Sequence, residues 1–262
     1  MKMLLTLLRQ NVRRLKRLSL GFITAILLGC TTSPQAADNT DAPMQIEHSR
    51  DRFERFNRGV YSFNMFADKW LLKPVTKGYV AITPDPVESG VSNFFDNLSE
   101  LNNIVNDVLQ WKWKQAGNDA GRLLINSTVG VAGLFDVARK AGLSEADGED
   151  FGQTLAVWGV PEGPYLVLPL LGPYTVTEAV GLPVNWQIHP VSNIGHRTTR
   201  YSLVALDFID IRAKLLQTEE LISGDEYTFI RDAYLQRREY LVKDGNVEDD
   251  FGGEFDEQEF DF

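Results

Sequence analysis

DPVESGVSNFFDNLSELNNIVNDVLQ, residues 85–110, is the stretch that sets the fold class. Pro86 stands at the first helical position, where its missing N–H costs nothing, and Glu88 follows Asp85 by three residues, a capping arrangement. Val87, Val91, Phe94, Phe95, Leu98, Leu101, Val105 and Val108 then recur at helical spacing and mark one apolar side. Upstream, Phe53, Phe56, Val60, Phe63 and Leu71 predict a helix over 53–72 that ends before Lys73-Pro74. Downstream, 115–126 and 131–140 read as shorter helices around Gly130, and 198–217 and 225–243 as longer ones. Ser223 is placed to cap the last of these, with Glu226 answering it. The fold class is all-α.

Leu155 to Ile188 breaks the pattern. Pro161, Pro164, Pro169 and Pro173 prevent a continuous helix, and repeated Gly-Pro pairs mark turns. A chain so apolar and so interrupted must be buried or lie against lipid headgroups, and composition alone slightly favours burial. No apolar run after the first 29 residues reaches the length of a membrane-spanning helix. Neither repeats nor a boundary are visible inside 50–243.

The ends are of a different kind. Arg13, Arg14, Lys16 and Arg17 precede the apolar stretch Leu18–Leu28 and then Gly29-Cys30, the layout of a secretion signal. LLGC resembles the lipobox of bacterial lipoproteins, in which the cysteine takes a diacylglycerol after cleavage. Cys30 is the sole cysteine, so no internal disulfide competes for it. The other reading is an ordinary signal with an incidental cysteine. Residues 1–29 are thus assigned as signal, 30–50 as a lipidated flexible tether and 51–243 as one helical domain. Residues 244–262 hold nine acids and no Lys or Arg, an expected disordered tail, although its four phenylalanines leave room for docking.

Cleavage removes six Lys or Arg and no acid, moving the formal charge from −10 to −16. That balance argues against nucleic acid as a partner. Enzyme chemistry finds little to hold. His48, His189 and His196 form no metal motif, and neither a GxSxG elbow nor a Walker loop is present. No metal or cofactor is expected.

Phe53-Glu54-Arg55-Phe56-Asn57-Arg58, Tyr61-Ser62-Phe63-Asn64, Lys73-Pro74-Val75, Val91-Ser92-Asn93-Phe94-Phe95-Asp96-Asn97-Leu98 and Asn126-Ser127-Thr128-Val129-Gly130 together resemble the MlaA (VacJ) family. Gly133-Leu134-Phe135-Asp136-Val137-Ala138, Asp150-Phe151-Gly152-Gln153-Thr154-Leu155 and Gly163-Pro164-Tyr165-Leu166-Val167-Leu168-Pro169 extend the likeness, in order, over roughly 50–243. The resemblance implies a lipid-anchored outer-membrane protein of Gram-negative bacteria that removes mislocalised phospholipids from the outer leaflet and maintains lipid asymmetry. It implies a ring-like helical domain, flat in the periplasmic leaflet, with an amphipathic channel. The implied partners are trimeric porins and a periplasmic lipid-carrier protein upstream of an inner-membrane ABC transporter. A scaffold lipoprotein that binds porins without moving lipid is the competing class.

Within that frame Asn57, Arg58, Asn64, Asn126, Ser127, Thr128, Gly130, Gly133 and Phe135 are candidates for the lipid path or a hinge in it. For the glycines, close packing of two helices is the alternative. For Asn57, Arg58 and Asn64 it is bonding to neighbouring segments. Trp158, Tyr165, Leu166, Leu168, Leu170 and Leu171 are candidates for membrane contact, and the five tryptophans for an interfacial belt. For Phe94, Phe95, Leu98 and Leu101 ordinary core packing is expected. One departure stands out: where the family commonly carries an Arg-Asp pair before a glycine, this chain has Thr177-Glu178-Ala179-Val180-Gly181. Any salt bridge made by that arginine is in doubt.

Overall fold

The computed structural model of the chain describes residues 51–216, 219 and 224–246, all within one compact unit. Cys30, the signal, the tether, Ser223 and the tail beyond 246 lie outside the described residues.

The helices run in the order α1 (Glu54–Ala67), α2 (Lys73–Ile82), α3 (Asp85–Leu109), α4 (Trp113–Thr128), α5 (Val137–Lys140) and α6 (Phe151–Val157). A two-stranded antiparallel hairpin follows, β1 (Tyr165–Leu168) and β2 (Gly172–Thr175), with Tyr165 opposite Thr175 and Leu168 opposite Gly172. Then come α7 (Val176–Ile188), a 3-10 turn at Pro190–Asn193, α8 (Arg197–Leu216) and α9 (Glu226–Val242). The fold is mostly helical. The hairpin corrects an all-α reading, and it sits where the Gly-Pro pairs interrupt the chain.

Three further expectations change. The first helix does not stop before Lys73-Pro74; a π segment, Asp68–Leu72, carries it into α2. The Lys73 N–H reaches the Asp68 carbonyl five residues back. That wider turn absorbs the ring and missing donor of Pro74 without breaking the rod. The expected helix over 131–140 is reduced to Val137–Lys140. Asp225, not Ser223, caps α9, its carboxylate accepting from the Tyr227 and Thr228 N–H groups. No helix among the described residues is long and apolar enough to cross a membrane.

The packing is inverted. Among the described residues, eighteen polar or charged side chains are buried against eight apolar ones, while thirty-one large hydrophobic residues are exposed. Helix α3 shows how. Its periodicity is as read, but of the apolar side only Phe95 is buried; Val87 and Val108 are exposed. Asn97, Glu100, Asn106 and Asp107 are buried instead. Across an antiparallel seam with α4, Asn97 meets Ser127, Glu100 meets Arg122 and Asp107 meets Asp119. A small apolar core of Tyr165, Val167 and Tyr227, flanked by Val60, Tyr61, Tyr234 and Leu235, joins the hairpin to α1 and α9.

Candidate functional site

The link after α4 is the most constrained segment among the site candidates. The Asn126 carboxamide bridges it, Oδ1 accepting from the Ala138 N–H at 2.8 Å and Nδ2 donating to Asp136 Oδ1 at 3.0 Å. The Gly133 N–H donates to the Asn126 carbonyl at 2.8 Å, and the Phe135 N–H to the Gly130 carbonyl at 3.0 Å. A Cβ on Gly130 would lie 2.2 Å from the Phe135 carbonyl oxygen and 2.5 Å from that of Asn126. At Gly133 it would meet Asn97 at 2.7 Å, and the backbone there is left-handed, φ +91°. Both glycines therefore serve close approach.

Val131 and Ala132 between them are also left-handed, at φ 55° and 57°. For non-glycine residues, and a β-branched one above all, that costs on the order of 1–2 kcal/mol each. The turn so built presents Val129, Val131, Leu134 and Phe135 outward, with Phe135 61% exposed. Ser127 and Thr128 are exposed beside them; Ser127 accepts from the Asn97 amide and Thr128 donates back to the Leu124 carbonyl. Polar anchors thus sit below a small apolar cap.

Asn57 and Asn64 do something else. Seven residues apart on α1, they share one face and dock it on the open edge of β1. Asn57 donates to the Tyr165 carbonyl at 3.0 Å and accepts from the Val167 N–H at 2.9 Å. Asn64 repeats the pattern with the Leu168 carbonyl at 2.9 Å and the Leu170 N–H at 2.8 Å. The two amides satisfy strand groups that a third strand would otherwise bond. Arg58 pairs with Glu54 at 2.8 Å and Asp225 at 2.9 Å and lies 4.3 Å from the Tyr227 ring centre, clamping α1 to the start of α9. All three are engaged in holding the fold.

Residues not singled out from sequence fill the buried seam. Arg122 Nε donates to Glu100 Oε1 at 2.6 Å, and Arg122 also reaches the Leu143 carbonyl at 3.1 Å. Asp107 faces Asp119, and neither oxygen of Asp107 receives a donor. Burial, with Asp119 and Glu149 adding to it and Lys112 opposing, pushes the Asp107 carboxyl up to about 8. Burial beside a second carboxylate thus favours the protonated, neutral form of Asp107.

Because that folded value lies above the ordinary one, Asp107 binds more proton in the folded state. Its contribution is complete below about pH 4 and is lost as pH rises through about 8. The unfolding midpoint in detergent is expected to fall by about 4 °C or more between pH 5 and pH 9. Asp107→Asn should flatten that slope; an unchanged slope would exclude Asp107 as its source.

A second polar hub lies around the start of α7. Thr177 at that position is buried and donates to the Pro161 carbonyl at 2.6 Å. An arginine of α9 lies at its centre. Arg238 meets Asp150, Glu162 and, at 3.8 Å, Glu178. Asp150 is at the same time the cap of α6, accepting from the Gly152 and Gln153 N–H groups. Helices α6 and α7 cross closely here, a Cβ on Gly152 falling 2.7 Å from the Glu178 Cα.

Of the residues read as membrane contacts, Trp158, Leu170 and Leu171 are exposed and Leu166 and Leu168 half-buried. Tyr165 is a correction: at 1% exposure it belongs to the core, its ring against Tyr227 and Tyr234. All five tryptophans, 70, 111, 113, 158 and 186, are between 52% and 74% exposed. No group of His, Cys, Asp and Glu among the described residues could hold a metal ion.

Among the described residues the fold is mostly helical, with polar seams inside and large aromatic side chains outside. The chain belongs to the MlaA lipoprotein family, which it matches over residues 49–241. It is 34% identical over 246 residues to the intermembrane phospholipid transport system lipoprotein MlaA of Escherichia coli K12, covering 89% of this chain and 90% of that one. The Haemophilus influenzae protein of the same name is 30% identical over 238 residues, covering 86% and 92%. A solved structure described as the structural basis for maintenance of bacterial outer membrane lipid asymmetry superposes with a TM-score of 0.66 and 31% identity, covering 73% of this chain and 98% of that one.

Proposed function

We propose that this protein is an outer-membrane lipoprotein that maintains lipid asymmetry by transporting phospholipid. The observation that carries the reading is the inverted packing. Burying charge inside while exposing large apolar side chains is unfavourable in water, at roughly 25 cal/mol for each Å² of apolar surface left wet. It is favourable where the surroundings are acyl chains. Without a spanning helix among the described residues, such a domain lies within one leaflet, held there by lipid on Cys30.

In this reading the helices form a ring in the periplasmic leaflet, with exposed tryptophans at the headgroup level. The polar anchors Asn126, Ser127 and Thr128, beneath Val129, Val131 and Phe135, border an amphipathic path that takes a headgroup and its tails together. Trp158, Leu166, Leu168, Leu170 and Leu171 meet surrounding lipid. Trimeric porins support the ring, and a periplasmic carrier receives the lipid for an inner-membrane ABC transporter. No bond is made or broken; related MlaA proteins carry transport in their name.

Deleting the gene tests this. Phospholipid in the outer leaflet, measured by an enzyme confined to the cell surface, should rise several-fold and return to normal when the gene is restored. An unchanged outer leaflet in cells that still assemble porins normally would favour a scaffold role.

A further inference from the structure

A cavity of about 670 Å³ opens between the α3–α4 connection, the 145–149 loop and the end of α9. That size suits a small polar ligand. One wall is aromatic: Trp111 and Trp113 meet edge to face with ring centres 5.7 Å apart, 74% and 58% exposed. Tyr240 also lines it. Trp111 holds φ 65°, a left-handed backbone that a bulky residue adopts only under constraint. The constraint is local, since the Trp111 N–H donates to the Val108 carbonyl and the Lys112 N–H to that of Asp107.

Charged side chains surround this wall. Lys112 is engaged, paired with Glu149 at 2.8 Å and with Asp244. Lys114, Glu145 and Asp147 also line the cavity and are exposed, with Glu145 adding to the negative field at Arg122. One exposed cation and two exposed carboxylates therefore stand around two exposed indoles.

We propose that this cavity binds a zwitterionic phospholipid headgroup of the phosphoethanolamine class. Indole faces attract an ammonium group, and nearby carboxylates strengthen the attraction. Trp111, Trp113, Glu145 and Asp147 supply that half of the site, and Lys114 takes the adjoining phosphate. An anionic headgroup without an ammonium would set its own charge against the two carboxylates. The site rests on the phospholipid reading above and narrows it to a lipid class.

Calorimetry on the full lipidated protein in detergent provides the test, with dihexanoyl phosphatidylethanolamine, dihexanoyl phosphatidylglycerol, chain-free glycerophosphoethanolamine and inorganic phosphate as probes. Phosphatidylethanolamine is expected to bind at least fivefold more tightly than phosphatidylglycerol. Glycerophosphoethanolamine should bind measurably and better than inorganic phosphate. Trp111→Leu, and separately Glu145→Lys with Asp147→Lys, should abolish the preference; all three residues are exposed, and each variant's unfolding midpoint confirms that it is folded. Equal affinity for the two lipids, or a preference that survives these substitutions, would overturn the proposal. So would inorganic phosphate binding as well as glycerophosphoethanolamine. Outer-leaflet clearance by the wild type separates the two readings: normal clearance without ethanolamine preference removes only this site.

Discussion

Gly130→Ala is expected to lower the unfolding midpoint in detergent by about 5–10 °C, the equivalent of roughly 2–3 kcal/mol in a domain of this size. The added methyl would sit 2.2 Å from the Phe135 carbonyl oxygen, and that carbonyl belongs to backbone that cannot swing aside. Moving it would disturb the Phe135 N–H bond to Gly130 and the Gly133 N–H bond to Asn126. Gly130→Pro adds a second loss, since the Gly130 N–H donates to the Ile125 carbonyl at 3.1 Å. Gly59→Ala is the control: nothing lies within 4 Å of its Cβ on helix α1, so it should stabilise by about 0.5–1 kcal/mol. Clearance per folded molecule should stay normal in Gly130→Ala. Unaltered stability with slowed clearance would instead make Gly130 a hinge.

Arg122→Met should cost more, about 3–5 kcal/mol, because it strands a charge. Glu100 is 4% exposed, and its carboxylate would lose a 2.6 Å guanidinium partner inside the α3–α4 seam. The Leu143 carbonyl would lose its donor too. Glu100→Met with Arg122→Met should recover at least half of the loss, since an apolar pair of similar volume carries no desolvation penalty. A single substitution that shifts the midpoint by less than about 2 °C would show that the seam tolerates an unpaired carboxylate, contrary to this account.

Helices α1 and α3 are legible because their apolar residues recur at helical period. What periodicity does not reveal is which face turns inward. In α3 the apolar face was expected inside, and the structure buries Asn97, Glu100, Asn106 and Asp107. A signal existed: Gln115, Asp119, Arg122 and Asn126 repeat at three- and four-residue spacing along α4, a polar stripe as regular as any apolar one. Two such stripes on consecutive helices mark a polar seam. The hairpin at 165–175 was hidden by its prolines, which exclude helix without pointing to strand. Asn57 and Asn64 were visible as a pair, but their bonds to β1 depend on a contact more than a hundred residues away. Arg238 gave no local clue, because its carboxylate partners lie on three other segments.

Transfer of labelled phospholipid between compartments tests the central claim most directly. Outer membranes with and without this protein, both carrying porins, are incubated with the purified periplasmic carrier, and labelled phospholipid on the carrier is followed with time. The account predicts label on the carrier only from membranes that hold the protein, with full transfer requiring Cys30. Equal transfer from both membranes would contradict it.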